Sequence, residues 1–558
     1  MTMNTFELKK RLEQRRGALM QTKQRMEPHW KSLREYIQPF RGRFGGERPE
    51  QTTPSLGSIL SSEALRARRT LAAGMQSGLT SPSRQWFKLT THDPELSERQ
   101  DVIEWCDDVQ RRMMTVMAGS SFYHALHSVY DEIAVFGTGA MTIMPDYDNV
   151  MQCRALTAGT YCLGKGASDT IDTMYRDLYM TAGAMVAEFG AEQCSDAVVQ
   201  AAERNPDTVF ELHHAIEPET DPAMRWAWRS VYWEAAGGAN RLLRVSGYPT
   251  FPVMAPRWSV VDDDIYGYGP GSAALADVKM LQALTKDQLE ATRKMVNPPL
   301  IADEELRTRG VMVKPGGVTY MHTGSGIEAK IRSLYDVRLD LGQLDAVRSE
   351  VKRDINSTMY VDLFLMLARE DRPQMTAREI IERHEEKMLA LGPVLERLEW
   401  ELLTPAIDRI FDIMDDARLI PPPPEALSGR EIKVEYISIL AQAQQMQGTK
   451  AEEQVLAFAG SLAAAQPEVM DLVDGDEALR EYARMVGAPA KILRTEEEVQ
   501  ARRAARAQQM RQQQAAAEAQ QAVDTLAQGA QGAKTLSEVD PGGGALAALL
   551  GTDEGALW

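Results

Sequence analysis

The sequence predicts a mostly helical α+β protein built from several compact regions. Its 558 residues are more than one small core organises, because domains typically hold about 100–200 residues. Apolar residues recur at helical spacing in several long segments, whereas residues 140–270 contain short β-type runs broken by glycine and proline. Hydrophobic residues make up 44% of the chain and charged residues 25%, so most of it can bury genuine cores.

The N-terminal part predicts helices around one short strand. Phe6, Leu12, Leu19, Trp30 and Leu33 follow a helical repeat that glycines end after residue 40. The same reasoning gives four further elements: a helix from Ser61 to about Gly78, a strand at Trp86–Leu89, and helices at Asp101–Ala118 and Phe122–Phe136.

The β-rich part predicts short strands with one helix among them. Trp226, Trp228, Tyr232 and Trp233 form a cluster of residues that favour strands. The expected elements are strands at Ala140–Met144, Tyr175–Tyr179, Arg225–Glu234 and Leu242–Ser246, and a helix near Thr181–Phe189.

Residues 272–360 predict a helix, a small β module and a returning helix. The first helix spans about 30 Å before Asn297-Pro298-Pro299 stops it. Val311–Val313 and Val318–Tyr320 predict strands around a proline-glycine turn. The returning helix is expected over Leu339–Tyr360, followed by a loop over 361–375.

A capping box at Thr376-Ala-Arg-Glu379 opens a long helix that continues to Met414. Gly392-Pro393 and Pro405 predict kinks in it, and Pro421–Pro424 stops it. The remainder predicts a strand at Glu431–Tyr436, helices at Ala441–Ala465 and Asp476–Val486, a polar helix over 496–527, and a disordered tail.

The overall charge and the cysteines exclude several classes of protein. A net charge of −18 disfavours tight wrapping of nucleic acid, which needs clustered Lys and Arg. Cys106, Cys153, Cys162 and Cys194 match no zinc spacing and predict buried, inert thiols. The first 16 residues have no apolar signal-peptide core, and no apolar run is long enough to span a membrane.

Three motifs invite a chemical interpretation, and each has a simpler one. His124 and His127 have metal-binding spacing but no evident third ligand. Asp262–Asp264 could hold Mg²⁺ in a nuclease, although acidic turns are much commoner. Gly267–Gly271 before a helix lacks the lysine of a phosphate loop and predicts a turn. The sequence therefore predicts no enzyme, no cofactor and no metal.

The helix–β–helix block differs in charge from the rest of the chain. Residues 271–360 contain 13 basic and 12 acidic residues, a net charge of +1. A few of its basic residues are expected to project toward a polyanion. The candidates along the helices are Lys279, Lys286, Arg293, Lys294, Arg348, Lys352 and Arg353, and the β module adds the basic residues Arg307, Arg309 and Lys314. Ion pairs within the helices are the alternative for each.

Several motifs, in order, resemble the head-to-tail connecting, or portal, family of T7-like podoviruses. They are Leu71–Pro82 followed by Trp86-Phe87, Tyr268–Lys279, Asn297–Leu300, Lys314–Val318, Met375–Glu379 and Leu391–Leu398. Each motif is weak alone, but the ordered set covers roughly residues 5–500.

The resemblance implies a portal fold with wing, stem, clip and crown and a C-terminal helical barrel, assembled as a ring around a channel. It assigns residues 1–270 to the wing, 271–297 and 338–360 to the stem helices, 298–337 to the clip, 361–375 to a tunnel loop, 376–436 to the wing helix and return strand, 437–495 to the crown, 496–528 to a barrel-like helix and 529–558 to a disordered tail.

It also implies sites and partners. Phe364, Met366, Arg369 and Arg372 in the loop are expected to contact DNA. The expected docking surface of the clip for the terminase and the tail adaptor comprises Arg307, Arg309, Lys314, Pro315, Gly316 and Gly317. The implied partners are a homo-oligomer of about twelve copies, double-stranded DNA, the large terminase subunit, a tail adaptor, and the major capsid and scaffolding proteins. The implied location is the portal vertex of the virion, after assembly in the host cytoplasm.

Two other functions remain open. One is a Mg²⁺-dependent phage nuclease that uses Asp262–Asp264. The other is a minor structural or internal core protein that associates through the Ala/Gln-rich helix. The helix–β–helix block favours the connector, because neither alternative needs it.

Overall fold

The computed structural model describes residues 5–48, 54, 56–97, 99–167, 169–238, 241–296, 300–302, 331–333, 341–368, 391–427, 429–430, 432–437, 475 and 498–515. The chain divides into two compact units, Met1–Gly475 and Asp476–Trp558. The described residues are mostly helical with antiparallel sheets, so the predicted α+β class is confirmed for them.

Four of the five N-terminal helices follow the prediction closely. The five are α1 (Thr5–Tyr36), α2 (Glu63–Leu79), α3 (Pro94–Ser97), α4 (Gln100–Gly119) and α5 (Phe122–Phe136), and the short α3 was not predicted. Twelve of the fifteen residues of α5 are buried, so this helix forms the centre of the main core. It ends at Gly137 in the left-handed region, where a Cβ would lie 2.3 Å from the Gly267 carbonyl oxygen.

Two antiparallel sheets contain most of the β structure. The first has the order β3-β2-β9, formed by β2 (Ala140–Asp146), β3 (Val150–Leu156) and β9 (Val253–Met254). The second runs in sequence order through β4 (Tyr161–Lys165), β5 (Ile171–Thr181), β6 (Val209–Pro218), β7 (Trp228–Glu234) and β8 (Arg244–Tyr248).

Two helices pack on the five-stranded sheet, whereas the sequence predicted one. The predicted helix is α6 (Ala182–Phe189), capped by the Thr181 hydroxyl, which accepts from the Ala184 amide. The second is α7 (Asp196–Arg204), capped by Ser195 through the Val198 amide. Both pack against Leu212 and Tyr232 in a satellite core.

The helix–β–helix block is present where the structure describes it. It comprises α8 (Pro270–Val296), β10 (Leu300–Ala302), β11 (Ile331–Ser333) and α9 (Leu341–Thr358). Strands β10 and β11 pair antiparallel. The predicted strands at 311–320 lie outside the described residues.

The predicted loop over 361–375 is wrong for its first eight residues, which form helix α10 (Val361–Ala368). Tyr360, between α9 and α10, takes a φ of 55°, and this left-handed residue lets the chain change direction without a loop. α10 then packs on α2, with Leu363 and Phe364 fully buried.

The described part of the long helix is irregular just before Pro405, where a kink was predicted, whereas no irregularity lies at Gly392-Pro393. Residues 391–398 are helical, Glu399–Leu403 form a π-turn, and α11 spans Thr404–Asp416. Pro405 has no amide proton to donate to the preceding turn, and a π-turn just before it absorbs that loss. The predicted capping box at 376–379 lies outside the described residues.

Strand β12 (Ile432–Tyr436) closes the main unit. It pairs antiparallel with β1 (Phe87–Thr91), with Phe87 opposite Tyr436. A short 3-10 turn at Glu425–Leu427 precedes it. This pairing joins two segments that are about 345 residues apart in the chain, which no local pattern predicts.

In the second unit, residues 498–515 form a helix whose side chains are exposed, except for the half-buried Val499. This agrees with the prediction of a polar helix without an apolar face. In the part of the chain that the structure describes, no helix is long and apolar enough to cross a membrane.

Candidate functional site

The helix–β–helix block projects from the core as an arm, defined here as α8, β10, β11 and α9. Helix α8 is buried along its first half, at Ala274, Leu275, Val278 and Leu281. No residue from 283 to 296 is buried. The arm therefore has a root embedded in the protein and an exposed outer half.

Helix α9 shows the same gradient in reverse. Val351 and Ile355 are buried near its end, and no residue from 342 to 350 is buried. The two helices pack against each other, and the Arg348 guanidinium donates to Gln288 Oε1 at 2.7 Å across them. The chain thus leaves the core along α8 and returns along α9.

Gln282 fixes the root of the arm. Its Oε1 accepts from the Leu60 and Ser61 amides, both at 2.8 Å, and its Nε2 donates to the Ser61 carbonyl at 2.9 Å. These bonds also satisfy backbone groups just before α2. Gln282 is 5% exposed, so losing them would leave buried polar groups unpaired.

The glycine-rich segment before α8 allows the start of this helix to pack closely against α5. A Cβ on Gly269 would lie 2.3 Å from the Ile133 carbonyl oxygen, and one on Gly271 would lie 2.9 Å from Val135 Cα. Glycine is required because α8 begins directly against the backbone of α5. This explains the Gly267–Gly271 motif without a phosphate.

The basic residues of α8 lie mainly on one exposed face. Lys279, Lys286 and Arg293 are seven residues apart, so they line up about 10 Å apart along the helix axis. The Lys279 ammonium lies 5.4 Å from the centroid of the Tyr36 ring. None of the three forms an ion pair within the described residues. We call them the basic stripe. Lys294 is also exposed, beside it.

The basic residues of α9 are less available for external contacts, because they are hydrogen-bonded, ion-paired or half-buried. Arg348 pairs with Asp345 at 3.0 Å in addition to its bond to Gln288, and it is directed at α8. Arg353 Nε donates to the Ser349 carbonyl of its own helix. Lys352 is half-buried.

The structure does not place the expected tunnel-loop residues together on a surface. Phe364 is 1% exposed and packs against Gly74 of α2, where it cannot contact DNA. Met366 lies in α10, with its side chain outside the described set. Arg369 and Arg372 lie outside the described residues, as do Arg307, Arg309, Lys314, Pro315, Gly316 and Gly317 of the clip.

The acidic turn Asp262–Asp264 does not converge on a common point. Asp263 is 94% exposed and pairs with Lys165 at 3.0 Å. Asp264 Oδ2 accepts from the Tyr268 hydroxyl at 3.4 Å. Asp262 has a φ of 49°, which suits a tight turn. The nuclease interpretation gains no support from this geometry.

The cysteines are buried and free, as predicted. Burial raises the pKa of Cys106 and Cys162 to about 11 and that of Cys153 to about 12, so all three are thiols at neutral pH.

A three-residue cluster that the sequence did not reveal lies on strands β5 and β6. Ligand atoms of Asp177, Glu211 and His213 lie within 4.8 Å of one another. Arg16 and His213 already bind the Asp177 carboxylate, each at 2.8 Å. The Arg16 guanidinium already compensates the Asp177 charge, which accounts for the cluster as an ion-pair network without a metal.

The resemblance found in the sequence is confirmed by comparison with known proteins. The family model described as bacteriophage head to tail connecting protein matches residues 9–493. The chain therefore belongs to this family of phage connectors.

Individual relatives agree over almost the whole chain. A probable portal protein of Bordetella phage BPP-1 is 39% identical over 539 residues, covering 95% of this chain and 96% of the relative. The portal protein of Salmonella phage epsilon15 is 37% identical over 541 residues, covering 95% of each. Among solved structures, a chain in the neck of an empty gene transfer agent particle aligns with 75% of this chain and 92% of its own length, at 13% identity and a TM-score of 0.34. A TM-score that low does not establish a shared fold.

Proposed function

We propose that this chain is a portal subunit: about twelve copies form a ring at one capsid vertex, and double-stranded DNA enters and leaves the capsid through its channel. Full-length identity of 37–39% to two phage portal proteins carries this proposal. Its role is mechanical and structural, and the chemical work of packaging belongs to the terminase.

Exposed apolar side chains on the arm support the proposal that the chain forms an oligomer. Met280, Leu289, Met295, Val296 and Val347 are all more than 40% exposed on it. Apolar side chains concentrated on a projecting element mark a surface that another chain covers. We assign α8 and α9 to the stem, residues 298–337 to the clip and residues 1–270 to the wing.

The basic stripe is the best-supported DNA contact among the described residues. A ring of chains at −18 each repels phosphate overall, which suits a conduit that must not bind its cargo tightly. In each copy, the three side chains of the basic stripe supply weak, exchangeable contacts to the DNA phosphates along the channel. Arg369 and Arg372 are proposed to add contacts from the loop after α10.

The function is tested by withholding the chain during infection. With the chain depleted, the phage should yield capsids without DNA, and supplying the wild-type chain in trans should restore full capsids. An Asp263→Asn chain should restore them equally well. Restoration by wild type but not by Asp263→Asn would favour the nuclease, and full capsids in depleted cells would refute the portal assignment.

The clip assignment has its own test. Deleting residues 303–330 should leave rings intact while abolishing retention of the large terminase subunit in a pull-down, because the clip is the proposed docking surface. Retention equal to that of the wild-type ring would contradict this assignment.

A further inference from the structure

A basic cleft in the wing is distinct from the arm. Arg41, Arg43, Arg154 and Arg176 line a cavity of about 590 Å³. We call these four residues the arginine cleft. Four cationic side chains around one cavity are unexpected in a chain with a net charge of −18.

Most of this positive charge is not neutralised within the chain. Arg43 and Arg154 form no ion pair within the described residues. Arg176 Nε donates to His214 Nδ1 at 3.0 Å, and burial, aided by Arg176 and Arg244, keeps the pKa of His214 well below its usual value. His214 is therefore neutral and leaves the Arg176 charge uncompensated. Among the described residues, the carboxylate partners of the cleft belong to Arg41, which pairs with Glu132 and Asp131, each at 3.3 Å.

The one carboxylate that lines the cleft is already engaged. Asp177 is bound by Arg16 and by His213. Burial opposes its charged form, but these two partners outweigh burial and lower the pKa of Asp177. The cleft thus keeps an excess of positive charge that an external anionic group can meet.

The tip of the β2–β3 hairpin has the complementary chemistry. Tyr147 stands at the tip between Asp146 and Asp148 with 108% relative exposure, so no described residue covers its ring. Asp146 shapes the turn by accepting from the Asn149 amide and side chain, both at 3.2 Å. We call Asp146–Asp148 the hairpin tip.

The tip and the cleft cannot meet within one copy. The tip lies beyond the Asp146–Val150 pair at one end of β3, whereas Arg154 and Leu156 of the cleft lie in the other half of that strand. The extended strand places Arg154 about 13 Å and Leu156 about 20 Å from Val150. Two different surfaces at opposite ends of one hairpin suit a head-to-tail contact, the type that closes into rings.

We propose that the hairpin tip of one copy docks in the arginine cleft of the next copy around the ring. This inference rests on the ring of the proposed function and names one of its contacts. The two aspartates pair with the unpartnered arginines, and the Tyr147 ring lies against Phe40, which is 54% exposed at the rim of the cleft.

A second copy fits the cleft better than DNA does. Phe40, Leu178 and Tyr179 give the lining an apolar component that a phosphate backbone does not use. Tyrosine and arginine are the side chains that most often dominate protein interfaces. Copies at −18 repel one another overall, so assembly requires local attraction of this kind.

Cross-linking in the assembled ring tests the contact directly. A Tyr147→Cys, Phe40→Cys chain treated with a short bifunctional maleimide should give a denaturing-gel ladder in steps of 62.1 kDa. The four natural cysteines are buried and should not react. Each single variant should remain a monomer on the gel. Tyr147→Cys with Leu419→Cys, at another exposed position, is the matched control.

Charge exchange provides a second measurement. Asp148→Arg and Arg154→Asp should each raise the concentration needed for ring assembly at least about 10-fold. The two changes combined should restore assembly to within about threefold. Both positions are exposed, so neither change should disturb folding.

The outcomes separate this inference from the function on which it rests. If the wild-type chain forms rings but the Tyr147→Cys, Phe40→Cys chain gives no ladder, or only a ladder equal to the control's, the contact alone is overturned. So would Arg154→Asp rings that assemble normally but bind duplex DNA less well, since the cleft would then be a nucleic-acid site. A wild-type chain that stays monomeric under all conditions would overturn both.

Discussion

At the scale of single residues, Gly74 explains part of the family motif Leu71–Pro82. It lies on the face of α2 that α10 crosses, and a Cβ there would come within 2.3 Å of the Phe364 ring. Glycine is required at this position because the two helices are in contact there and leave no room for a Cβ, although glycine lowers the helix propensity of α2. Phe364 is consequently a core residue.

Gly74→Ala should lower the free energy of unfolding by about 1–3 kcal/mol, because the methyl group overpacks the α2–α10 contact. Gly17→Ala in α1 is the matched control: nothing lies within 4 Å of its Cβ, so it should raise stability by about 0.5–1 kcal/mol. Urea unfolding of both variants measures the difference. A Gly74→Ala chain as stable as Gly17→Ala would contradict the packing.

Glu132 makes stability depend on pH. It is fully buried, and burial raises its pKa to about 7, even though Arg41 and hydrogen bonds from Thr157 and Ala158 oppose this. Its ordinary pKa is 4.5, so between pH 4.5 and 7 the folded state binds more protons than the unfolded state. The contribution is fully present below pH 4.5 and is lost as pH rises through 7.

Glu132→Gln should therefore flatten the fall of unfolding free energy between pH 5 and 7 by up to about 1.4 kcal/mol per pH unit. The urea midpoint, measured at several pH values, reports this slope. Glu399, whose pKa burial also raises to about 7, should leave a residual slope in the variant. An unchanged slope would show that Glu132 is ionised in the folded protein throughout.

The arginine cleft shows what a single sequence does not reveal at this scale. Its four arginines come from the segment after α1 and from strands β3 and β5, and no local pattern links them. The basic stripe could be predicted from the sequence, because Lys279, Lys286 and Arg293 lie on one helix and their spacing places them on the same face.

At the scale of elements, periodicity predicted the long helices well. Helices α1, α5, α8 and α9 lie within a few residues of their predicted bounds. Three shorter helices, α3, α7 and α10, were missed. The Ser195-Asp196 start of α7 carried a capping signal. The hydrophobic run of α10 was interpreted as a loop because its packing against α2 is a tertiary effect.

The basic stripe can be tested as a unit. Changing Lys279, Lys286 and Arg293 together to glutamine should leave ring assembly intact but weaken the hold on packaged DNA, because the channel loses its phosphate contacts. The temperature at which filled capsids release DNA should fall.

A control variant with three substitutions removes the same three positive charges from other exposed positions. Lys10, Arg25 and Arg204 are exposed and form no ion pair within the described residues, and their change to glutamine should leave the release temperature unchanged. Equal shifts for both triples would mean that net charge, not the stripe, retains DNA.

At the scale of the whole molecule, sequence periodicity predicted which elements exist but not how they pair. The β1–β12 pairing and the buried Arg257–Glu401 ion pair, at 2.7 Å, connect segments far apart in the chain. Such contacts depend on the complete fold. The family, in contrast, was visible in the sequence because its motifs occur in a fixed order along nearly all of the chain.

The outer half of the arm is exposed, the arginine cleft keeps an excess of positive charge, and the Tyr147 ring at the hairpin tip is fully exposed. A single chain therefore has exposed apolar side chains and uncompensated charge, and contacts with neighbouring copies would bury the former and neutralise the latter. The central claim is therefore that this protein works as a closed ring.

Native mass spectrometry of the purified protein, with negative-stain imaging of the same sample, tests that claim most directly. The account predicts a species near 745 kDa for twelve copies of 62.1 kDa, seen as a ring with a central hole. A stable monomer or dimer at every salt and protein concentration, with no rings in the images, would contradict it.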